Sequence, residues 1–168
     1  RIIKDSRIHV IRHLDGICHT YIHRKSDPNI ALKVLINAKM RRTGICGATE
    51  TLLIDKEVLN SHLPEIISKL KEYGCEIRGD KYIKSIDQSI KLATEKDWRT
   101  EYLDSVISIK TIKDGVAEAI DHVNTYGSNH TDAIISNDKK TVELFLNKVD
   151  SGIVMHNTST QFADGGEW

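Results

Sequence analysis

The sequence lacks an excess of charge, a long apolar run and any C-x-x-C pair. Its 24 basic and 24 acidic residues give a net charge of zero, which argues against nucleic acid or an anionic membrane as the main partner. No apolar run approaches the roughly 18 residues of a membrane span, and no signal-peptide pattern occurs. Cys18, Cys46 and Cys75 are widely spaced, so neither a zinc site nor a disulfide framework is expected. Reduced thiols in a cytoplasmic protein are the simplest interpretation.

Two further absences concern the cofactor and the chain ends. No G-x-G-x-x-G segment occurs, so the sequence shows no recognisable dinucleotide-binding fingerprint. The chain begins at Arg1 rather than Met, and neither its first nor its last part reads as a complete structural unit. We therefore expect a trimmed chain or a fragment. A chain of 168 residues can still form one domain with a real core.

Strand and helix patterns alternate along the chain. Helix starts are predicted at residues with N-cap side chains, namely Asp27 (followed by Pro28), Ser61, Asp114, and Asn137 or Asp138. A weaker helix is predicted over 85–93, and Gly74 is predicted to end the second helix. Predicted strands cover 49–54, 76–78, 106–112, 131–136 and 152–156. This alternation predicts an α/β domain with three layers around a mostly parallel sheet.

Cys46 is the strongest candidate for chemistry. It follows a predicted helix ending in Arg41-Arg42 and precedes a predicted strand. Thiolates are favoured near positive charge and near helix N-termini, and the two arginines are close enough to contribute. The amides of Cys46 and Gly47 could face a developing oxyanion, as acyl transfer requires. The alternative is that Cys46 is a small buried hydrophobe in a turn.

The other cysteines are interpreted as structural. Cys75 stands at a helix-to-strand junction after Gly74. Cys18 lies in an apolar stretch beside His19. Adjacent residues of a strand point to opposite faces, which argues against a Cys18–His19 pair.

The polar composition of two segments indicates either a functional site or a turn. His13 and Asp15 share one face if the chain is extended there, and they would serve a site or solvate a turn. The Gly-containing segment 126–132 lies between a predicted helix and a predicted strand. Such loops often hold anions or ligands, but the residues alone favour a plain helix stop.

Four separated segments resemble γ-glutamyl phosphate reductases of the aldehyde dehydrogenase superfamily. They are R-H-L-D-G-I-C-H at 12–19, R-T-G-I-C-G-A-T-E-T-L-L at 42–53, the stretch from A-I-D-H-V through Y-G-S-N-H-T-D-A-I at 119–134, and N-T-S-T-Q-F-A-D-G-G-E at 157–167. Because the four occur in the family's order, the chain is identified as a member of this family, with an aldehyde-dehydrogenase-like catalytic domain.

The resemblance implies NADPH-dependent reduction of γ-glutamyl phosphate to glutamate 5-semialdehyde in proline biosynthesis. Cys46 would attack the acyl phosphate, and the Cys46 and Gly47 amides would bind the oxyanion. Glu101 resembles the glutamate that contacts the nicotinamide ribose. Substrate contacts are expected from Arg42 and from three further residues: Ser128, His130 and Asn157. The segment at 13–17 stands where hydrolytic relatives carry a glutamate base and has none, as suits a reductase that does not activate water.

The resemblance also implies that this chain is a part of the enzyme. Residues 1–23 would end the nucleotide-binding domain, 24–149 would form the catalytic domain, and 150–168 would begin the return crossing. NADPH binding by the chain alone is expected to be weak or absent, because most of the surface that buries the dinucleotide is missing. A separately supplied N-terminal half and a homo-oligomer are the expected partners.

The departures from the family pattern support a second hypothesis. Thr43 replaces a proline, Gly47 an asparagine, Asp104-Ser105 an A-P pair and Asn129 a glycine. The glycine-to-asparagine change predicts a positive φ at Asn129, which asparagine tolerates well. Two hypotheses therefore remain: the catalytic part of a reductase, active with its other half, and a non-catalytic remnant or binding and assembly module of the same fold.

Overall fold

All seven strands of the sheet are parallel. The computed structural model describes residue 7 and residues 15–163. The strands are β1 Cys18–Ile22, β2 Thr49–Asp55, β3 Glu76–Gly79, β4 Lys91–Leu92, β5 Val106–Ile112, β6 Thr131–Ile135 and β7 Ile153–His156. Their order in the sheet is β4-β3-β5-β2-β1-β6-β7. β1 and β2 are buried along their whole lengths, as expected for central strands of a sheet covered on both faces.

Of the five helices in the described residues, three begin where a side chain satisfies the free amides of the first turn. The five are α1 Pro28–Met40, α2 Leu59–Glu72, α3 Lys81–Ile86, α4 Val116–Tyr126 and α5 Lys139–Lys148, with short 3₁₀ turns at Lys56–Val58, Asp97–Arg99 and Thr160–Ala163. The carboxylates of Asp27, Asp80 and Asp138 each accept two backbone N–H groups at the starts of α1, α3 and α5. These caps replace hydrogen bonds that the first turn of a helix cannot make internally.

Two apolar cores lie on opposite faces of the sheet. Leu52 and Ile54 of β2 pack with residues of α1, α2 and α3 on one face. Leu53, between them, packs with residues of α4 and α5 on the other face. Alternate residues of a strand point to opposite faces, so β2 contributes to both cores. The predicted three-layer α/β fold is therefore confirmed.

Two predicted helix positions and one predicted cap are wrong. α2 begins at Leu59 after a 3₁₀ turn, so Ser61 lies inside it and bonds the Val58 carbonyl instead of capping. The helix predicted over 85–93 occupies Lys81–Ile86, because Asp80 caps it. α4 has no side-chain cap from Asp114.

Strands near both predicted domain boundaries belong to this one sheet. β1, assigned above to the end of a nucleotide-binding domain, lies between β2 and β6. β7, assigned to the return crossing, pairs with β6. The division into domains at residues 23 and 149 stays a prediction. No helix in the described part of the chain is both long and apolar enough to cross a membrane.

Candidate functional site

Cys46 lies at the edge of the sheet where the parallel strands begin. Its thiol is exposed, so the alternative of a buried hydrophobic cysteine is wrong. Ala48 N donates to Ile45 O at 3.0 Å, which makes Cys46 and Gly47 the two central residues of a β-turn. β2 starts directly after this turn at Thr49. The turn thus presents a thiol and two neighbouring amides at the amino edge of the sheet.

The chain leading into β1 packs tightly against this turn. A Cβ on Gly16 would lie 2.2 Å from the Cys46 carbonyl oxygen and 2.6 Å from the Cys46 Cα, so a side chain at Gly16 would collide with the turn. Cys18 Sγ donates a hydrogen bond to the Cys46 carbonyl oxygen at 3.1 Å. Cys18 is fully buried, whereas Cys46 faces solvent.

The loop before β6 supports the same residues. Ile17 N donates to Ser128 Oγ at 2.9 Å, and His130 Nδ1 lies 3.6 Å from Cys18 Sγ. Asn129, between them, has φ 59°, which confirms the positive φ predicted there. The structure therefore brings two predicted substrate residues, Ser128 and His130, to the Cys46 turn, with Cys18 in between.

His19 faces away from this cluster. Its Nδ1 lies 3.0 Å from Asp132 Oδ1, and both side chains are buried. Cys18 is partnered by His130 and not by its neighbour His19, as the alternation of a strand requires.

The last described turn closes the other side of the site. A Cβ on Gly47 would approach the Thr160 carbonyl oxygen to 3.2 Å. Gln161 is fully buried, and its Nε2 donates to the carbonyls of Ala38 at 2.9 Å and Arg42 at 3.1 Å. Arg42, a predicted substrate residue, is thus fixed through its backbone. Gln161 was not predicted to matter, and its only sequence signal is its position in the fourth family-like segment.

The loop that carries Glu101 also reaches the Cys46 segment. The Leu103 carbonyl oxygen lies 3.7 Å from the position of a Cβ on Gly44, and Leu103 N donates to Glu50 Oε1 at 3.3 Å. Glu101 is half-buried and makes no hydrogen bond or ion pair with another described residue. Its carboxylate therefore has no described partner, on a loop that contacts the Cys46 segment through Leu103 and Gly44.

A buried ion pair anchors this loop. Lys39 Nζ lies 2.6 Å from Glu50 Oε2, and neither side chain is exposed. Burial raises the pKa of Glu50, although Lys39 and the backbone amides that bond it act in the opposite direction. Sequence reasoning missed this pair; the signal was a lysine on the buried stripe of α1 and a glutamate in a buried strand.

Asn157 points to the other end of the sheet. It follows β7, has φ 53°, and its Oδ1 accepts from Ser136 N at 3.0 Å at the carboxyl end of β6. The structure does not bring its side chain to Cys46, although Thr160, three residues later, contacts Gly47. Of the predicted pair His13 and Asp15, Asp15 is exposed and His13 lies outside the described residues.

The chain is similar to known sequences over its whole length. No family model matches it. It is 52% identical to a γ-glutamyl phosphate reductase of a Methylobacterium species and 51% identical to one of Mesorhizobium japonicum, over all 168 residues in each case. It spans 39% of the length of both relatives.

Solved structures of γ-glutamyl phosphate reductases also match this chain. γ-Glutamyl phosphate reductase from Thermotoga maritima matches 99% of this chain with a TM-score of 0.94 and 35% identity, and the chain covers 40% of it. The enzyme from Saccharomyces cerevisiae matches 96% of the chain with a TM-score of 0.69 and 34% identity, with 40% of it covered. A glyceraldehyde-3-phosphate dehydrogenase from Methanocaldococcus jannaschii, complexed with NADP, has a TM-score of 0.70 at 17% identity, covering 88% of this chain and 41% of its own. That last similarity concerns the fold alone.

Proposed function

We propose that the chain is part of a γ-glutamyl phosphate reductase of the aldehyde dehydrogenase superfamily and that it supplies the acyl-accepting cysteine of that enzyme. The observation that carries the proposal is the exposed Cys46 thiol at the centre of a β-turn. The substrate of the whole enzyme would be γ-glutamyl phosphate, and its product glutamate 5-semialdehyde.

The proposed first step is acyl transfer to sulfur. The Cys46 thiolate attacks the γ-carbonyl carbon, and the carbonyl oxygen becomes an oxyanion that the turn amides can bind. The C–O bond to phosphate then breaks, and phosphate leaves with the electron pair. A thioester on Cys46 remains. This step uses only residues of this chain.

The second half of the reaction needs a nicotinamide cofactor, which supplies hydride to the thioester carbon when bound. Among the described residues, Glu101 is a candidate to contact it: a half-buried carboxylate without a described partner, two residues before Leu103, which lies against Gly44. That is suitable for a ribose hydroxyl, which donates hydrogen bonds to a carboxylate. One carboxylate is too little surface to bury a dinucleotide. We therefore propose that this chain handles the acyl group and that most of the NADPH contacts come from the remainder of the enzyme.

A reconstitution assay tests this function. The chain is combined with the remaining portion of the Methylobacterium relative, and NADP reduction is followed with glutamate 5-semialdehyde and phosphate, the reverse direction. We expect activity with the wild-type chain and with Cys75→Ser, a control at a buried cysteine away from the turn. We expect none with Cys46→Ser. An inactive mixture of two folded portions, or an active Cys46→Ser, would contradict the proposal and favour the non-catalytic module.

A further inference from the structure

The peptide between Cys46 and Gly47 is one that can flip. It is the middle peptide of a β-turn, and rotation of this unit interconverts turn types I and II. Type II needs φ > 0 at the second central residue, which glycine tolerates at no steric cost. That residue is Gly47, yet positive φ among the described glycines occurs at Gly74 and Gly115 and not at Gly47. Glycine therefore permits both arrangements, and the structure holds the unflipped one.

The selecting contacts are made by the Cys46 carbonyl. It accepts the Cys18 thiol at 3.1 Å and lies against Gly16, where a Cβ would come within 2.2 Å of it. The peptide is trans, so its C=O and N–H point in opposite directions. A carbonyl held toward the buried Cys18 thus directs the Gly47 N–H away from Cys18.

The Cys18 thiol is suited to a permanent donor role. Burial, and then the charge of Asp132, raise its pKa well above the usual range, so it keeps its proton. A thiol has one proton to donate. The thiol proton goes to the Cys46 carbonyl oxygen, and His130 Nδ1 lies 3.6 Å from the sulfur.

We propose that Cys18 is a positioning residue, whose thiol holds the Cys46–Gly47 peptide so that the Gly47 N–H faces the oxyanion formed at Cys46. The inference rests on the proposed acyl-transfer function. It adds a role for a cysteine that has no reactivity of its own.

Two reagents that modify the Cys46 thiol distinguish a loss of peptide positioning from a general loosening of the turn. p-Nitrophenyl acetate acylates a thiol through an oxyanion, and the released p-nitrophenolate is measured by absorbance. Iodoacetamide alkylates the same thiol by displacement, without an oxyanion. The variants are Cys18→Ala, which removes the donor, and Cys18→Ser, which keeps an O–H donor. The matched controls are Cys75→Ala and Cys75→Ser, also at a buried cysteine.

We expect Cys18→Ala to slow acylation of Cys46 about tenfold, less than the 10²–10³ lost when an oxyanion donor is removed outright. Its alkylation rate should stay within about twofold of wild type, since no oxyanion forms there. Cys18→Ser should restore acylation, and the Cys75 variants should change neither rate. Equal slowing of both reactions, no slowing of either, or a Cys18→Ser variant as slow as Cys18→Ala would overturn the inference.

The same assay also tests the proposed function, through a different variant. Cys46→Ser should lose both reactions whatever the Cys18 variants do. If it retained acylation, the acyl-transfer function would fail, whereas a normal Cys46 with an indifferent Cys18 refutes only the positioning role.

Discussion

Replacement of Lys39 by methionine should be among the most damaging single changes in this fold. Lys39 Nζ is 2.6 Å from Glu50 Oε2, and both side chains are fully buried. The change leaves a carboxylate in an apolar interior without its counter-charge. Breaking a buried pair from one side costs about 3–5 kcal/mol, whereas an exposed pair contributes about 0–1 kcal/mol.

The pH dependence of this loss has a defined sign. Without Lys39, the pKa of Glu50 rises further above its ordinary 4.5, because its largest lowering influence is gone. A carboxyl whose folded pKa is raised favours folding most when it is protonated. The variant should therefore be most stable below pH 4.5 and lose stability as pH rises through the raised pKa of the folded state.

Urea unfolding monitored by circular dichroism measures the free energy of unfolding. Lys39→Met with Glu50→Gln should recover most of the loss, since glutamine is neutral and its amide oxygen can still accept from Leu103 N. Lys69→Met, which breaks the exposed Lys69–Glu72 pair, should cost far less stability than Lys39→Met, because water screens an exposed pair. If Lys39→Met were no worse than Lys69→Met, or if Glu50→Gln gave no recovery, the ion pair would not be a buried anchor.

Three further changes have expected outcomes. Burial, and then the charge of His19, lower the pKa of His122 to about 2 from 6.5. The wild-type chain should therefore lose about 2 kcal/mol of unfolding free energy through this group between pH 7 and pH 5. Urea titrations at the two pH values should show that His122→Phe lacks this loss. Asp27→Ala removes the acceptor for two amides at the start of α1 and should cost about 1 kcal/mol in unfolding free energy, whereas Asp27→Asn should cost much less. Gly16→Ala places a methyl group 2.2 Å from the Cys46 carbonyl oxygen. The change should lower the free energy of unfolding by about 1–3 kcal/mol and slow acylation of Cys46. An unchanged acylation rate would contradict the tight packing of Gly16 against the turn.

Local signals predicted much of the fold. The strand over 106–112 is found with those bounds, and the Asp27 and Asp138 caps are present. Runs of apolar β-branched residues favour strands, and carboxylates favour helix starts. Both effects depend on residues only a few positions apart in the chain. The helix predicted over 85–93 lies instead at Lys81–Ile86, because the cap at Asp80 was not predicted.

Long-range contacts of the candidate site were not predictable in the same way. The thiol of Cys18 bonds a carbonyl 28 positions away, and Gln161 bonds Ala38 across 123 positions. These contacts depend on the order of β1, β2 and β6 in the sheet, which no local pattern specifies. Cys46 itself was found because its turn and the family-like segment around it are contiguous.

The most direct test of the central claim is to look for the acyl group on sulfur. The chain is incubated with acetyl phosphate, a small acyl phosphate, and digested for mass spectrometry under acidic conditions. We expect a hydroxylamine-sensitive acetyl thioester on Cys46, with release of inorganic phosphate and no modification of Cys18 or Cys75. A folded chain that carries no acyl group on Cys46, or carries it equally on all three cysteines, would contradict the claim that this turn is built to accept an acyl group.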